Sequence, residues 1–581
     1  MNTEEKKLTG YPSIDKPWLK YYKSEDVNRS IPEKTCYEML VSSASKYKNN
    51  IAIDYYGTQI SYDELLHKVD KIAVAFYTLG VRKNDIITLL AVSTPEIVCS
   101  FYALNKIGAI SNMIDPRSNA NAIKHYLDEV NSKFLVTLDL CCSNVEKVIN
   151  STKVEKIIVF SVCDSMPSLL RCVIKIATKF KNEKVVLPFN DKYITWKEFM
   201  DSADIKSQII SSSYVKGSAA AMVHTGGTTG IPKGVLLSND NFNAVVHQVK
   251  YCPINLTSGD KFLNVLVPFV AYGLALGIHT PITLGWKSIL IPKFEPKDIV
   301  KLMKKYNPQA IMGIETYFEP LLSSDYDFSQ VKAILMGGMP TKESFEKNIN
   351  DVIARNHGNF KISKGYSMTE ASSTATCSFD DANEIGSNGI PLINTIVSAF
   401  DPNTRKELGY DQRGEICISS PTVMLGYYND NEATQQILQK HEDGRLWIHS
   451  GDIGYVTEDG FVYIVDRIKR MIIRRGYKVF PSEIENIFLK HPAVENCAVI
   501  GIDDIEDDKA PQAHIILKSI NSKTEEIIKE ELIGYIEKYG LPVYFKPVSF
   551  KFRQSLPLTN IGKVDFLALE KEAGSNQALY K

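Results

Sequence analysis

The sequence predicts an α/β fold: a large N-terminal domain, 1–466, of mixed and parallel sheets with flanking helices plus an antiparallel subdomain, and a small α+β C-terminal domain, 467–581. Three observations carry this expectation. Short apolar runs alternate with helical periodicity between residues 50 and 160, which suits a largely parallel sheet. Short alternating strands with turns replace them between 395 and 465, which suits antiparallel pairing. A charged stretch, Asp466-Arg467-Ile468-Lys469-Arg470, then separates off a last segment of ordinary domain size.

In chain order, Ile51-Ala52-Ile53-Asp54-Tyr55 and Ile86-Ile87-Thr88-Leu89-Leu90-Ala91-Val92 read as strands. Glu96 to Lys106 reads as a helix that ends at Gly108, and Phe134–Thr137 and Lys156–Phe160 read as further strands. The pattern resumes at 219–223, 287–291, 310–314 and 333–337. Phe262 to Trp286 carries no charge, but Asn264, Pro268, Gly273, Gly277, His279, Pro281 and Gly285 interrupt it, so it predicts a buried helix flanked by loops, not a membrane span. Leu169 to Lys181 is basic and amphipathic, with Arg171, Lys175, Lys179 and Lys181 among apolar positions at helical spacing. Such a segment serves either as a surface helix packed on the core or as a peripheral membrane contact.

Bulk composition narrows the function classes. At 581 residues, 44% hydrophobic and 23% charged, the chain can bury a large core and is not disordered. Sixty-seven Lys and Arg against 68 Asp and Glu leave a net charge of −1, which argues against nucleic-acid binding through a general basic field. The ten cysteines are scattered, without a Cys-x-x-Cys and partner His, so a zinc site is not expected. Their apolar surroundings suit free thiols in a reducing cytoplasm.

The chemistry concentrates in a few segments. Thr225-Gly226-Gly227-Thr228-Thr229-Gly230-Ile231-Pro232-Lys233-Gly234 follows the apolar run 219–223. Glycines let backbone N–H groups approach oxygens, hydroxyls add donors, and Lys233 adds charge, so the loop suits a polyphosphate. Gly234 stands where a P-loop needs Ser or Thr, so the grip is of another kind. Gly365-Tyr366-Ser367-Met368-Thr369-Glu370, after an expected strand at Phe360-Lys361-Ile362, offers a ring for stacking and a carboxylate for a hard divalent cation, or equally an ordinary helix cap at Thr369. Asp452, in Ser450-Gly451-Asp452, can accept two ribose hydroxyls or simply cap a turn.

Together with Ile60-Ser61-Tyr62-Asp63-Glu64-Leu65, Gly108-Ala109, Asp115-Pro116, Gly337-Gly338-Met339-Pro340, Gly414-Glu415, Arg467-Ile468-Lys469, Gly476-Tyr477-Lys478-Val479, Pro481-Ser482-Glu483-Ile484-Glu485 and Gly562-Lys563, these segments resemble, in order, the adenylate-forming superfamily of acyl-CoA synthetases and related enzymes. The resemblance implies ATP, Mg²⁺ and CoA, or phosphopantetheine on an acyl carrier protein, acting on a small carboxylic acid. It implies that Thr225, Gly226, Gly227, Thr228, Thr229, Gly230 and Lys233 wrap the β,γ-phosphates. Thr369 then touches the α-phosphate and Glu370 holds Mg²⁺. Tyr366 stacks on adenine, opposite a wall of Gly337, Gly338 and Met339, and Asp452 and Arg467 bind the ribose. Lys563 bridges the attacking carboxylate and the α-phosphate. The small domain, as in the family, is implied to be mobile and to turn about 466–470 between half-reactions.

Some positions depart from the family pattern. Arg470 stands at the hinge where Asp or Lys is usual, and is expected to be a charged, solvated side chain. Arg474-Arg475-Gly476-Tyr477 replaces the Arg-Gly-Gly of many CoA ligases and resembles the coumarate-ligase and luciferase branches; Arg475 either meets CoA phosphates or stays solvated. The pocket segment Pro268-Phe269-Val270-Ala271-Tyr272-Gly273 lacks both the aromatic-His pair of many acyl-CoA ligases and an Asp for a substrate ammonium. A buried unpaired ammonium is costly, so an apolar acid is favoured. The small residues Gly273, Ala275 and Gly277 suggest room for its chain.

Overall fold

The computed structural model describes residues 8–180, 191–203, 211–225, 232–379, 381–504, 507–519, 523–559 and 564–577. Two large sheets dominate these residues. One orders Gly426–Tyr427, Gly234–Ser238, Ala219–His224, Ile110–Ile114, Ile86–Leu90, Phe134–Leu138, Lys156–Phe160 and Tyr193–Thr195. It is parallel from Ala219–His224 to Tyr193–Thr195. Its other end is antiparallel. The second sheet runs from Ser363–Lys364 through Ala333–Met336, Ala310–Gly313, Lys261–Asn264, Lys287–Leu290 and Ile51–Tyr55 to Thr58–Ser61, and only the last hairpin is antiparallel.

Parallel strands buried on both faces must be apolar throughout, and Ile157-Ile158-Val159-Phe160 meets that requirement. The helix Pro95–Ile107 lies in the core and is buried along nearly its whole length, which suits its mostly apolar sequence. Thr94 caps it by accepting from the Ile97 N–H, and Gly108 ends it at φ 84°.

From Ile396 onward the architecture changes as expected. Ile396–Phe400, Gly414–Ser419, Leu446–Val456, Leu438–Lys440 and Val462–Arg467 form an antiparallel sheet. A further sheet combines Ile472–Arg474, Tyr477–Val479, Val494–Asp504, Asp508–Leu517 and Ser549–Arg553, with its own apolar core around Ile484, Phe488, Ile515 and Leu532.

One local expectation is corrected: residues Phe360 to Ile362 are not a strand; the strand is the two-residue Ser363–Lys364, held to Ala333–Met336. The uncharged stretch after Lys261–Asn264 holds the expected buried helix, wound as a π-helix over Gly273–His279 before the helix Thr280–Leu284. No helix among the described residues is long and apolar enough to cross a membrane.

Candidate active site

The expected site residues come from separate elements that meet at the strand ends. Thr225 follows the strand Ala219–His224, and Lys233 precedes Gly234–Ser238. The Thr225 N–H donates to the Lys233 carbonyl at 3.0 Å, and the Lys233 N–H donates back to Thr225 Oγ1 at 3.1 Å. These two bonds close the base of the loop. Gly226, Gly227, Thr228, Thr229 and Gly230 lie outside the described residues.

Lys233 Nζ lies 4.9 Å from the centre of the Tyr427 ring and 3.5 Å from Asp430 Oδ2. The Tyr427 hydroxyl donates to Glu370 Oε1 at 2.7 Å. Tyr427 therefore joins the phosphate-loop lysine to the carboxylate expected to hold Mg²⁺. Backbone bonds fix the bridge: Met424 N–H donates to the Glu370 carbonyl, and Tyr428 N–H to the Gly234 carbonyl. A half-buried carboxylate with one oxygen oriented by a hydroxyl is a hard oxygen donor of the kind Mg²⁺ takes. Thr369 opens the short 3₁₀ turn Thr369–Ala371 that presents Glu370. Sequence reasoning missed Tyr427 and Asp430. An aromatic residue in a turn more than fifty positions from Glu370 gives no local signal.

A second group gathers around Asp452. The Tyr366 hydroxyl donates to Asp452 Oδ2, and Arg467 Nε lies 3.0 Å from Asp452 Oδ1. Strand register makes the latter pairing, since Asp452 and Arg467 are direct partners across the antiparallel ladder. Burial pushes the Asp452 carboxyl above its ordinary value, while Arg467 and the Tyr366 hydroxyl pull it back. Gly451, at φ 70°, donates its N–H to Glu415 Oε1 at 3.0 Å, and His449 Nδ1 lies 2.8 Å from Glu415 Oε2. Glu415 and His449 thus hold the turn that aims Asp452. The Arg405 guanidinium stands 3.2 Å from His449 Nε2 and Cys417 Sγ lies 3.5 Å from Nδ1, so both ring nitrogens of His449 have polar neighbours.

Gly337 ends the strand Ala333–Met336 beside Gly365, and a Cβ there would come within 3.7 Å of Tyr272 and 3.8 Å of the Gly365 carbonyl. Gly338 is exposed at φ 80°, and Met339 is half-buried next to it. From Gly337 and Gly365 an apolar cavity with about 590 Å³ of empty space, part of it open to solvent, extends between Tyr272, Leu276, Val249 and Trp286. The glycines expected to make room do something else. A Cβ at Gly273 would stand 1.8 Å from the Val267 carbonyl, and one at Gly277 would crowd Leu266 and Asn264. They permit close backbone packing, and the π-turn between them directs Tyr272 and Leu276 to the cavity.

Arg470 also differs from expectation. It is not solvated: it bonds Ser482 at 3.0 Å and Glu485 at 2.6 Å, lies 3.4 Å from Asp466, and stacks 3.9 Å over the Phe566 ring. Its five-donor fork suits so many partners where a lysine would not. Arg475 and Gly476 form the two-residue turn of the hairpin Ile472–Arg474/Tyr477–Val479, both at positive φ. Arg474 and Arg475 both pair with Asp507. Lys563 lies outside the described residues. Its flanks close on each other, since Leu558 bridges Val564 and the Asp565 N–H donates to the Pro557 carbonyl at 2.8 Å.

One carboxyl beside Gly234, Glu129, has a pH consequence. Burial pushes Glu129 up to about 7, with the Gly234 N–H pulling it back, and His224 Nδ1 lies 3.9 Å away with its pKa lowered by burial to about 3. Well below pH 7 the pair is a neutral acid beside a neutral imidazole, and as pH rises through about 7 the carboxyl gains its charge. Because the folded-state value is raised, the stabilisation is complete below the ordinary value of 4.5 and is lost as pH rises through about 7. Glu129→Gln should therefore gain stability over the native chain between pH 5 and pH 8, on the order of 2 kcal/mol. Denaturant unfolding at the two pH values measures it; a parallel offset at both would contradict the assignment.

Comparison with known proteins agrees with this geometry. A profile described as AMP-binding enzyme matches residues 40–428, and one described as AMP-binding enzyme C-terminal domain matches 483–563. The chain belongs to the AMP-binding enzyme family. It is 29% identical over 562 residues to a long-chain-fatty-acid–CoA ligase of Bacillus subtilis, covering 94% of this chain and 96% of that one. Its fold matches the anthranilate CoA ligase AuaEII in complex with anthranoyl-AMP at a TM-score of 0.80 and 19% identity, over 94% of this chain and 99% of that one. It also matches the o-succinylbenzoate coenzyme A synthetase of Bacillus subtilis in complex with ATP and magnesium ion, at a TM-score of 0.72 and 23% identity, over 91% and 98%.

Proposed function

We propose that this acid–thiol ligase activates an apolar carboxylic acid, a fatty acid being the best fit, to an acyl-adenylate and passes the acyl group to the thiol of CoA. The carrying observation is the apolar cavity that opens at Gly337 and Gly365, beside the Tyr366–Asp452–Arg467 group. Among the residues lining it there is no charged side chain, so it accepts a hydrocarbon and rejects an ammonium.

In the first half-reaction the acid oxygen attacks the α-phosphorus of ATP, the α–β bridging bond breaks, and pyrophosphate leaves. Two anions must meet, so placement and charge neutralisation supply the rate. Thr225, Gly226, Gly227, Thr228, Thr229, Gly230 and Lys233 hold the leaving phosphates. Tyr366 and the Gly337–Met339 wall hold the adenine, and Asp452 and Arg467 the ribose. Thr369 donates to the α-phosphate and Lys563 spans the attacking oxygen and the α-phosphate. Glu370 holds Mg²⁺, which supplies charge neutralisation at the phosphates when bound. In the second half-reaction the thiol displaces AMP from the acyl carbon. Residues 467–581 then act as a lid turning about 466–470, in which Arg470 keeps its bonds to Ser482 and Glu485 and exchanges its contact with Asp466.

Pyrophosphate release across a panel of carboxylic acids, with and without CoA, tests the reading. Release that rises with chain length and yields acyl-CoA supports it. Thioester found only on a carrier-protein phosphopantetheine replaces the acceptor, and selectivity for amino acids overturns the substrate class. A larger wall residue sharpens the test. Val249→Phe should lower kcat/KM for the longest acids about tenfold or more while sparing short ones, since each excluded methylene forfeits about 0.8 kcal/mol.

A further inference from the structure

We propose that the buried ion pair Lys364–Glu346 sets the two halves of the nucleotide pocket against each other, which makes both of them positioning residues for ATP. This rests on the reading that Tyr366 holds adenine and that Asp452 and Arg467 hold the ribose. Lys364 closes the strand Ser363–Lys364 and directly precedes Gly365 and Tyr366. Its ammonium donates to one Glu346 carboxylate oxygen and, at 2.8 Å, to the Glu384 carbonyl. The other Glu346 oxygen accepts from the Gly386 N–H at 3.2 Å. Glu346 belongs to the helix Glu343–Arg355, which supplies none of the expected site residues. The pair therefore grips the turn 384–388 at both a carbonyl and an N–H.

That turn is a hub between adenine and ribose. The Asn388 carbonyl accepts from the Thr376 hydroxyl, and Thr376 Oγ1 accepts from the Tyr366 N–H at 3.0 Å. The Asn388 N–H donates to the Val462 carbonyl at 2.7 Å, and its Oδ1 accepts from the Ile464 N–H at 3.0 Å. The strand Val462–Arg467 ends in the arginine that faces Asp452 across the ladder. The turn thus ties the segment of Tyr366 to the strand of Arg467, and the ion pair fixes where the turn sits. Folding by itself does not call for charge at this place. The two side chains are only 6% and 1% exposed, and an apolar pair of similar volume would serve stability as well or better. What the charges add is direction: a carboxylate aimed at one N–H and an ammonium aimed at one carbonyl.

Calorimetric titration of the full chain with AMP reads the nucleotide pocket without acid or thiol. Glu346→Gln should weaken AMP binding about tenfold and raise the KM for ATP by a similar factor, with kcat and the KM for the acid nearly unmoved. Because it leaves a buried ammonium unpaired, it should also lose stability. The double variant Glu346→Leu with Lys364→Met restores stability but not the bonds to Glu384 and Gly386, so its AMP binding should stay weak. Asn388→Ala cuts the side-chain link to Ile464 alone. It should weaken AMP binding too, and by less on a Glu346→Gln background than on the native one, since both act through one turn. Native AMP affinity in a stable double variant would overturn the proposal and leave the pair a purely structural one. So would a KM for the acid that rises as much as the KM for ATP, or full multiplication of the Asn388→Ala and Glu346→Gln losses. Asp452→Ala tells the two readings apart. If it leaves AMP affinity unmoved, the ribose assignment falls and the proposal with it; if it weakens AMP while Glu346→Gln does not, only the proposal falls.

Discussion

Lys563→Ala should nearly abolish adenylation, lowering pyrophosphate release by about 10²–10³-fold, while thioester formation from preformed acyl-adenylate falls far less. The chemical reason is charge. As the acid oxygen closes on the α-phosphorus, negative charge crowds around a pentavalent centre, and a cation placed between the two reactants is worth most at that instant. The second half-reaction starts from a mixed anhydride whose carboxyl charge is already gone, so it has less need of that cation. Lys563 lies outside the described residues, between flanks pinned by the Leu558–Val564 bridge. Single-turnover measurement of both half-reactions separates the cases. Equal losses in the two would remove Lys563 from the first step.

Asp452→Ala should raise the KM for ATP and lower kcat/KM by about 10²-fold, through the loss of two charge-assisted hydrogen bonds to the ribose. It should also cost about 1–3 kcal/mol of stability, because the largely buried Tyr366 hydroxyl loses its acceptor. Arg467 is mostly exposed and its charge stays hydrated, so it adds little to that cost. Tyr366→Phe separates the two effects: it deletes the hydroxyl and leaves the Asp452 carboxylate for the ribose. A loss of stability in Asp452→Ala with the KM for ATP unmoved would reduce Asp452 to a structural acid.

Much of this site is legible in single segments. The Gly/Thr loop with Lys233, the Tyr366–Glu370 run and the Ser450-Gly451-Asp452 turn each declare a chemistry within a few residues. Each also admitted an ordinary structural reading. Spacing does not show which segments meet: Tyr366 reaches Asp452 across 86 positions, and Tyr427 reaches Glu370 across 57. Arg470 shows the reverse error. A charged residue in a charged stretch reads as solvated, yet Asp466, Ser482 and Glu485 converge on it from different elements. Gly273 and Gly277 read as space because small residues leave room on their own. In the fold that room is taken by Val267 and Leu266.

The sequence alone determined the alternation of parallel strands and helices, the antiparallel segment after residue 395, and the residue types suited to a nucleotide and a metal. These follow from periodicity and local turn chemistry, which act over a few residues. Only the tertiary structure decided which of those residues share a site and where the apolar cavity runs. Those depend on strand register and side-chain packing between distant segments. The register that sets Arg467 opposite Asp452, and the π-turn that sends Tyr272 and Leu276 to the cavity wall, are properties of the assembled layers and of no single stretch of chain.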